Sequence, residues 1–127
     1  MKTIENSILV NAPVAQIYEQ WLRFEDLPRF IKCLGEVKRI DDNHFSFSVS
    51  RDGDEQRGLI EVLRHIRQRR IAWRTVSDNV GLGVVTFEPR SERTTEIFLK
   101  LRSVFEASIS SESAEQYLID FKKLIEA

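Results

Sequence analysis

The stretch FSFSVS at residues 45–50 places an apolar side chain at every second position, with a serine after each one. Side chains of a β-strand point alternately to the two faces of a sheet, so this pattern is typical of a strand with one buried and one solvated face. Antiparallel sheets commonly show that division, because they can leave one face in water. The stretch therefore predicts a half-buried strand of an antiparallel sheet.

The same period of two continues on both sides of this stretch, over residues 36–101. The alternating apolar positions include Ile71 and Trp73, Val85 and Phe87, and Ile97, Leu99 and Leu101. Turn signals stand at residues 41–43, 52–54, 67–68, 78–83 and 90–92. We predict five or six antiparallel strands from this region. Two apolar phases compete within residues 59–66, which predicts a bulge or a strand covered on both faces.

Before the sheet region, residues 3–10 alternate as a first strand, and a helix follows. Asn11 is a good N-cap and Pro13 suits a first helical turn. The apolar positions have helical spacing and form one face of the predicted helix, which should end at Arg23. This face consists of Val14, Ile17, Tyr18, Trp21 and Leu22. A second short helix is predicted over residues 28–34, with Gly35 as its C-cap.

The end of the sequence predicts a terminal helix that starts at Ser110 or Ser111. Its apolar stripe, which we expect to face the sheet, consists of Ala114, Tyr117, Leu118, Phe121, Leu124 and Ile125. The predicted order is a strand, two helices, a run of antiparallel strands and a helix. This order indicates an α+β fold.

Composition sets the limits of size and charge. The sequence has 127 residues, 42% of them apolar, with Lys+Arg 19, Asp+Glu 20 and a net charge of -1. We expect one domain over residues 1–127, with a core that needs no disulfide or structural metal. Near neutrality argues against a whole-protein electrostatic grip on nucleic acid or an anionic membrane.

Targeting signals are not apparent in the sequence. The start MKTIENSILV lacks the pattern of a signal peptide, and the lone Cys33 cannot form an internal disulfide. No apolar stretch approaches the about 20 residues that span a bilayer. We therefore expect a cytoplasmic protein without a transmembrane segment.

Four local motifs occur in one order along the chain. They are Val10-Asn11-Ala12-Pro13-Val14; Trp21, Phe24 and Leu27-Pro28-Arg29-Phe30; Arg70-Ile71-Ala72-Trp73-Arg74; and Gly83-Val84-Val85-Thr86-Phe87. Together they resemble the START-like (SRPBCC) helix-grip superfamily of polyketide cyclase/dehydrase and lipid transport proteins, in particular its coenzyme Q-binding-like branch. The resemblance implies a curved antiparallel sheet wrapped round a C-terminal helix, with two short helices after the first strand. It also implies an apolar cavity for a lipid-like or polycyclic ligand, although the short segment after Arg102 predicts a small or open-mouthed one.

A ligand pocket between sheet and terminal helix is expected to be lined by Phe30, Phe45, Phe47, Val49, Val62, Trp73, Thr75, Val85, Phe87, Leu99 and Tyr117. The alternative interpretation is that these side chains simply fill the core. A dry void of about 300 Å³ would cost on the order of 7 kcal/mol, which rivals the stability of a whole domain. A real pocket should therefore hold water, a ligand or polar groups, and the candidate polar groups are Ser48, Thr75, Thr86 and Tyr117.

A basic hairpin is formed in the sequence by Arg64, Arg67, Arg69, Arg70 and Arg74, with His65 and Trp73 among them. Such a cluster could contact the phosphates of RNA, of a ribosome or of a lipid headgroup. The alternative is an ordinary solvated hairpin. If Val62 pairs with Trp73, then Glu61 lies opposite Arg74 and a cross-strand ion pair accounts for two of the charges.

The function expected from these features is the binding of a small hydrophobic ligand, such as a lipid, a quinone or a polyketide. One alternative is a cyclase or dehydratase enzyme, which needs an ionisable group in the cavity; Arg64 and Tyr117 are the nearest candidates and neither is secure. Another is contact with RNA or ribosomes through the basic hairpin. We assign no catalytic residue, metal or cofactor, since the sequence has no zinc spacing and Gly81-Leu82-Gly83 is interpreted as a two-glycine turn.

Overall fold

The structure is a computed structural model that describes residues 2–31, 34–51, 54–76, 80–103 and 111–127. Its helices are α1 (Val14–Leu22), a 3₁₀-helix (Phe24–Arg29) and α2 (Ser111–Glu126). Its strands are β1 (Lys2–Val10), β2 (Leu34–Asp41), β3 (His44–Arg51), β4 (Asp54–Ile66), β5 (Arg70–Val76), β6 (Val80–Ser91) and β7 (Thr94–Ser103). The predicted element types and the six strands after the first helices are confirmed, apart from the changes given below.

The strands form one antiparallel sheet in the order β1-β7-β6-β5-β4-β3-β2. Neighbours along the chain pair as hairpins from β2 to β7, and the first strand then pairs with the last. In that closing pair Ile4 lies opposite Leu101 and Ile8 lies opposite Ile97. The sheet thus brings the first strand and the last strand of the chain together at one edge.

The three helices cover one face of the sheet, which we call the inner face. Trp21 of α1 contacts Phe121 of α2, with ring centroids 5.0 Å apart, and Phe30 beyond the 3₁₀-helix, at 5.2 Å. On the sheet, Phe45 stacks on Phe24 at 5.1 Å and Phe87 meets Trp21 edge-on at 6.5 Å. An aromatic core therefore joins all three helices to the inner face.

The second helix does not lie where the sequence predicted it. The 3₁₀-helix covers Phe24–Arg29, and Leu34 and Gly35 belong to β2 rather than to a helix and its cap. A 3₁₀-helix has three residues per turn, so Phe24, Leu27 and Phe30 fall on one side, and all three are buried. The prediction was wrong because it applied a 3.6-residue period to a segment with a period of three.

The start of α1 also differs from the prediction. Pro13 occupies the N-cap position and makes no side-chain cap. Asn11 lies before it, and its backbone N–H donates to a carboxylate oxygen of Glu126 at 2.8 Å. The expected apolar face and the end at Arg23 are confirmed.

Two of the predicted turns lie partly in strands. Residues 80–83 open β6, and β6 continues through Ser91, so the turn predicted at residues 90–92 lies at residues 92–93. The turns at residues 41–43 and 67–69 are present. Residues 52–53 and 77–79 lie outside the described part of the chain.

The bulge predicted in residues 59–66 is confirmed, because the pairing of β4 with β5 shifts between Val62 and Arg64. Before the bulge, Val62 lies opposite Trp73 and Glu61 lies opposite Arg74. The predicted ion pair forms there, with Arg74 2.8 Å from a Glu61 carboxylate oxygen. Past the bulge, Arg64 lies opposite Ala72, and Leu63 is the additional residue.

A polar chain runs across the solvated face of three strands, β2, β3 and β4. His44 Nδ1 lies 2.8 Å from Asp41 Oδ1, and His44 Nε2 lies 3.1 Å from Glu61 Oε2. The hydrogen bond to Asp41, and then the one to Glu61, raises the pKa of His44 above its ordinary value. The folded protein therefore holds the His44 proton more tightly than the unfolded chain does.

This linkage predicts a pH dependence of stability. A raised pKa stabilises the fold fully below the unfolded value of about 6.5, and the gain is lost as pH rises through the folded pKa. Between pH 6 and pH 9 we expect the melting temperature of the wild type to approach that of His44→Gln. Thermal melts of both proteins across this range test the expectation, and parallel curves would contradict it.

Candidate ligand site

The predicted pocket residues divide into two groups in the structure. The buried group, with at most 8% exposure, consists of Phe30, Phe45, Val62, Val85, Phe87 and Leu99. The half-buried group consists of Phe47, Trp73, Thr75 and Tyr117. Val49 lies in β3, but its side chain is outside the described part. The wall of a water-sized cavity keeps accessible surface, so the buried group packs in the core and the half-buried group borders open space.

Three half-buried side chains of the sheet mark one end of the inner face, around Phe47, Trp73 and Thr75, which we call the open end. Three glycines lie directly opposite them in the strand pairing. Phe47 is paired with Gly58, Thr75 with Gly81 and Trp73 with Gly83. Each inner-facing position of these glycines therefore contributes no side chain to the space above the sheet.

The glycines let the neighbouring side chains lie close to the backbone. A Cβ atom at Gly83 would collide with the six-membered ring of Trp73. At Gly58 it would lie 2.6 Å from Phe47 Cζ, and at Gly81 it would lie 2.6 Å from Thr75 Oγ1. Real Cβ atoms essentially never come so close. Both aromatic rings thus lie over glycine positions, and they form an apolar floor at the open end.

Two of these glycines belong to Gly81-Leu82-Gly83, for which the sequence predicts a turn, and that prediction was wrong. Both lie inside β6, where the strand alternation continues through Val85 and Phe87. Two glycines at alternate positions of a strand leave one face of it without side chains. The two-residue spacing of Gly81 and Gly83 was the feature of the sequence that could have predicted this gap.

The candidate polar groups are placed differently from one another. Thr75 lies on the inner face at the open end, and Tyr117 is half-buried on α2. Thr86 is on the opposite face, since its neighbours Val85 and Phe87 point into the core, so the expectation that it lines the inner cavity was wrong. Ser48 Oγ accepts a hydrogen bond from the Glu36 backbone N–H at 3.1 Å.

One buried donor on the inner face has no partner among the described residues. Trp21 is 1% exposed, and its indole Nε1 makes no hydrogen bond in that part of the structure. Its ring lies 6.3 Å from the ring of Trp73, measured between centroids. An unsatisfied N–H of this kind costs roughly 1–3 kcal/mol, so an acceptor reaching it would gain that energy.

Comparison with protein families identifies the chain. Residues 10–115 match the model of the family described as polyketide cyclase/dehydrase and lipid transport. The chain belongs to this family. The START-like resemblance of the sequence motifs is thereby confirmed.

A curated relative and several solved structures are similar to this member of the family. An uncharacterised 17.2 kDa protein of Streptomyces lincolnensis is 30% identical over 102 residues, which cover 80% of this chain and 68% of that protein. A crystal structure from Deinococcus radiodurans superimposes with a TM-score of 0.83 at 22% identity, covering 97% of this chain and 95% of that one. A START superfamily protein from Mycobacterium smegmatis gives 0.80 at 13% identity, covering 98% and 97%. The curved sheet and C-terminal helix match the predicted helix-grip fold.

The tip of the basic hairpin lies away from the open end, whereas Arg74 lies between Trp73 and Thr75 on β5. Arg64, Arg70 and Arg74 are exposed residues of β4 and β5, while Arg67 and Arg69 lie in the turn between them. Arg74 is paired with Glu61, as described above. Contact of the remaining arginines with RNA or ribosomes stays a prediction.

At the far end of β4, Tyr18 Oη lies 3.2 Å from His65 Nδ1. Burial raises the pKa of Tyr18, and the nearby Arg67 opposes that shift. The Tyr18 ring also meets Phe87 edge-on at 5.9 Å. Packed side chains therefore fill this end of the inner face, in contrast to the open end.

Two further observations concern the described part of the chain. No helix there combines the length and apolar character that crossing a bilayer requires. No group of three or more His, Cys, Asp or Glu side chains in the same ranges could hold a metal ion. Cys33 lies outside the described residues.

Proposed function

We propose that the protein binds a small hydrophobic ligand, of lipid, quinone or polyketide type, at the open end of the inner face. The observation that carries this proposal is the position of the Trp73 and Phe47 rings over Gly83 and Gly58. Strand positions that would normally fill the interior carry no side chain there. The half-buried rings then offer an apolar surface that a ligand can cover.

The energetics favour a polycyclic or long-chain ligand. Micromolar affinity requires about 8 kcal/mol, which at about 25 cal/mol per Å² means burying more than about 330 Å² of apolar surface, even before the cost of association. A single small ring cannot supply that area, since a whole aromatic side chain buries about 150–250 Å². A fused ring system or an alkyl chain can.

Polar groups would fix the orientation of such a ligand. Thr75 can donate or accept a hydrogen bond at the mouth, and Tyr117 stands on the helix above. The Trp21 N–H lies deeper, beside Trp73, and it would suit a carbonyl or carboxylate oxygen. A few directed contacts within a mainly apolar site are typical of small-molecule sites.

The binding role is preferred to an enzymatic one. A cyclase or dehydratase needs an ionisable group beside the reacting atoms. Of the two candidates, Arg64 is exposed on the outer face opposite Ala72, and Tyr117 is half-buried on α2. The described inward side chains of the sheet at the open end are aromatic, aliphatic or hydroxyl-bearing, which supports binding without proton transfer.

Calorimetric titration with three probes tests the proposal: emodin as a fused-ring polyketide, menadione as a quinone and laurate as an alkyl chain. We expect saturable one-to-one binding of at least one probe, with a negative heat-capacity change from apolar burial. Trp73→Leu should weaken that binding at least tenfold, because it removes most of the floor. Thermal melts establish that the variant is folded.

The matched control is Phe98→Leu, which makes a comparable truncation on the opposite face of the sheet. Its affinity for the same probe should equal that of the wild type. Absence of binding by all three probes, or equal binding by Trp73→Leu and wild type, would contradict the proposal.

A further inference from the structure

The outer face of the sheet, opposite the helices, carries a depression. Most of the side chains that line it point away from the proposed ligand site, although Trp73 and Gly83 also border it. It holds about 1020 Å³ and extends from Leu63 on β4 to Glu5 on β1. Its floor is made of short side chains, Ala72 and Val84, which lie opposite each other, with Thr86 beside them. Longer side chains stand round this floor, so the depression is a trough.

The trough exposes large apolar side chains. Leu63 is 51% exposed, Phe98 is 37% exposed and Leu82 is 36% exposed, and all three line it. They come from three different strands and surround the apolar floor. A contiguous patch of this kind on a protein surface marks an interaction site more often than a scattered set of apolar residues does.

The trough is also positively charged. Arg70 and Arg102 line it, and neither forms an ion pair with a carboxylate in the described part of the chain. Lys100 also lines it and pairs with Glu5 at 3.4 Å, with both side chains more than half exposed. Exposed pairs of this type contribute little. The local charge is thus positive although the chain has a net charge of -1.

The dimensions favour a rod-shaped occupant. From β4 to β1 the trough crosses four strand spacings, about 19 Å at about 4.8 Å each. From Leu82 to Thr86 along β6 its width is about 13 Å. An α-helix is about 10–12 Å across, and about 12 residues of it would span the length.

We propose that this trough is a docking site for an acidic amphipathic helix of a partner protein. Apolar residues of the helix would cover the floor and the three exposed side chains, and flanking carboxylates would meet Arg70, Lys100 and Arg102. This is helix-in-groove recognition, with affinity from the apolar face and orientation from the charges.

Two other occupants fit less well. A second copy of this chain, docked face to face by a two-fold axis, would bring two positively charged surfaces together, and their mutual repulsion opposes association. A flat bilayer surface would meet the rim but would leave the floor at Ala72 and Val84 uncovered. A helix can enter the trough, cover its apolar floor and place carboxylates beside its positive charges.

Amide NMR of the full ¹⁵N-labelled chain tests the proposal with a synthetic peptide. The probe has leucines at i, i+3, i+4 and i+7 flanked by glutamates, and the comparison peptide has the same composition in scrambled order. We expect shifts at the amides of Ala72, Val84 and Thr86 with the patterned peptide, and at least tenfold weaker binding of the scrambled one. Binding should weaken as salt is added.

Charge reversal separates the trough from general attraction. The double variant Arg70→Glu and Arg102→Glu should weaken binding at least tenfold, whereas Arg93→Glu, in the β6–β7 turn, should leave it unchanged. The proposal is overturned if both peptides bind alike, if the shifts fall elsewhere, or if vesicles of anionic phosphatidylglycerol bind while the peptide does not. These outcomes are independent of ligand binding at the open end.

Discussion

Phe121→Ala is expected to lower the free energy of unfolding by about 3–5 kcal/mol, the range for deleting a fully buried aromatic side chain. Phe121 is 0% exposed, and its ring lies 5.0 Å from that of Trp21 and 4.9 Å from that of Phe30. The substitution removes the contact by which α2 joins the other helices. Since domains are stable by only about 5–15 kcal/mol, this loss is a large fraction of the total.

Urea denaturation followed by circular dichroism measures the change, with Phe98→Ala as the control. Phe98 is the same residue type on the solvated face of β7 and is 37% exposed, so its loss should cost less than about 1.5 kcal/mol. Equal effects of the two substitutions would show that α2 does not pack on the inner face as described.

Gly83→Ala is expected to abolish or strongly weaken binding of the probe that the wild type binds. The new Cβ meets the Trp73 ring, which must rotate away from the sheet and into the space proposed for the ligand. The same strain should destabilise the fold by about 1–3 kcal/mol, as overpacking does. The predicted loss of stability is a specific test of the Trp73 contact, because a change from glycine to alanine in a strand normally raises stability.

Calorimetry and urea denaturation together measure both effects, and Gly35→Ala is the matched control. Gly35 lies in β2, and a Cβ there would lie 2.7 Å from the Ser48 hydroxyl, which can rotate away if it gives up its hydrogen bond from the Glu36 backbone N–H. We expect that variant to bind as the wild type does. If Gly83→Ala were instead more stable and bound the probe equally well, the Trp73 ring would not be held over Gly83.

The sheet was predictable because alternation is a local property of the chain. The alternation around Phe45 and Ile71 predicts a strand at each position, and it predicts that both side chains face the core, without reference to the neighbouring strands. The 3₁₀-helix at Phe24–Arg29 was not predicted, since the second helix was expected over residues 28–34 with the period of an α-helix. Hydrophobic periodicity predicted the elements in which a single period continues over many residues. It failed over residues 24–34, where a short helix is followed directly by a strand.

The candidate site was predictable only in part. Trp73 and Phe45 were both expected to line a pocket, yet one borders open space and the other is packed under Phe24. What separates them is the residue paired with each on one neighbouring strand, Gly83 for Trp73 and Ile60 for Phe45, and the sequence patterns did not predict these two pairings. The outer trough was not predicted either, because its side chains come from separate strands.

The pairing of β1 with β7 has a consequence for how the protein is made. About ninety residues separate these partners, and forming contacts so distant in sequence is slow because a long loop must close first. On the ribosome, β1 emerges early and waits unpaired until residues 94–103 have been synthesised. We therefore expect the sheet to close only late in synthesis, with the meander from β2 to β7 forming first and receiving β1 at its edge.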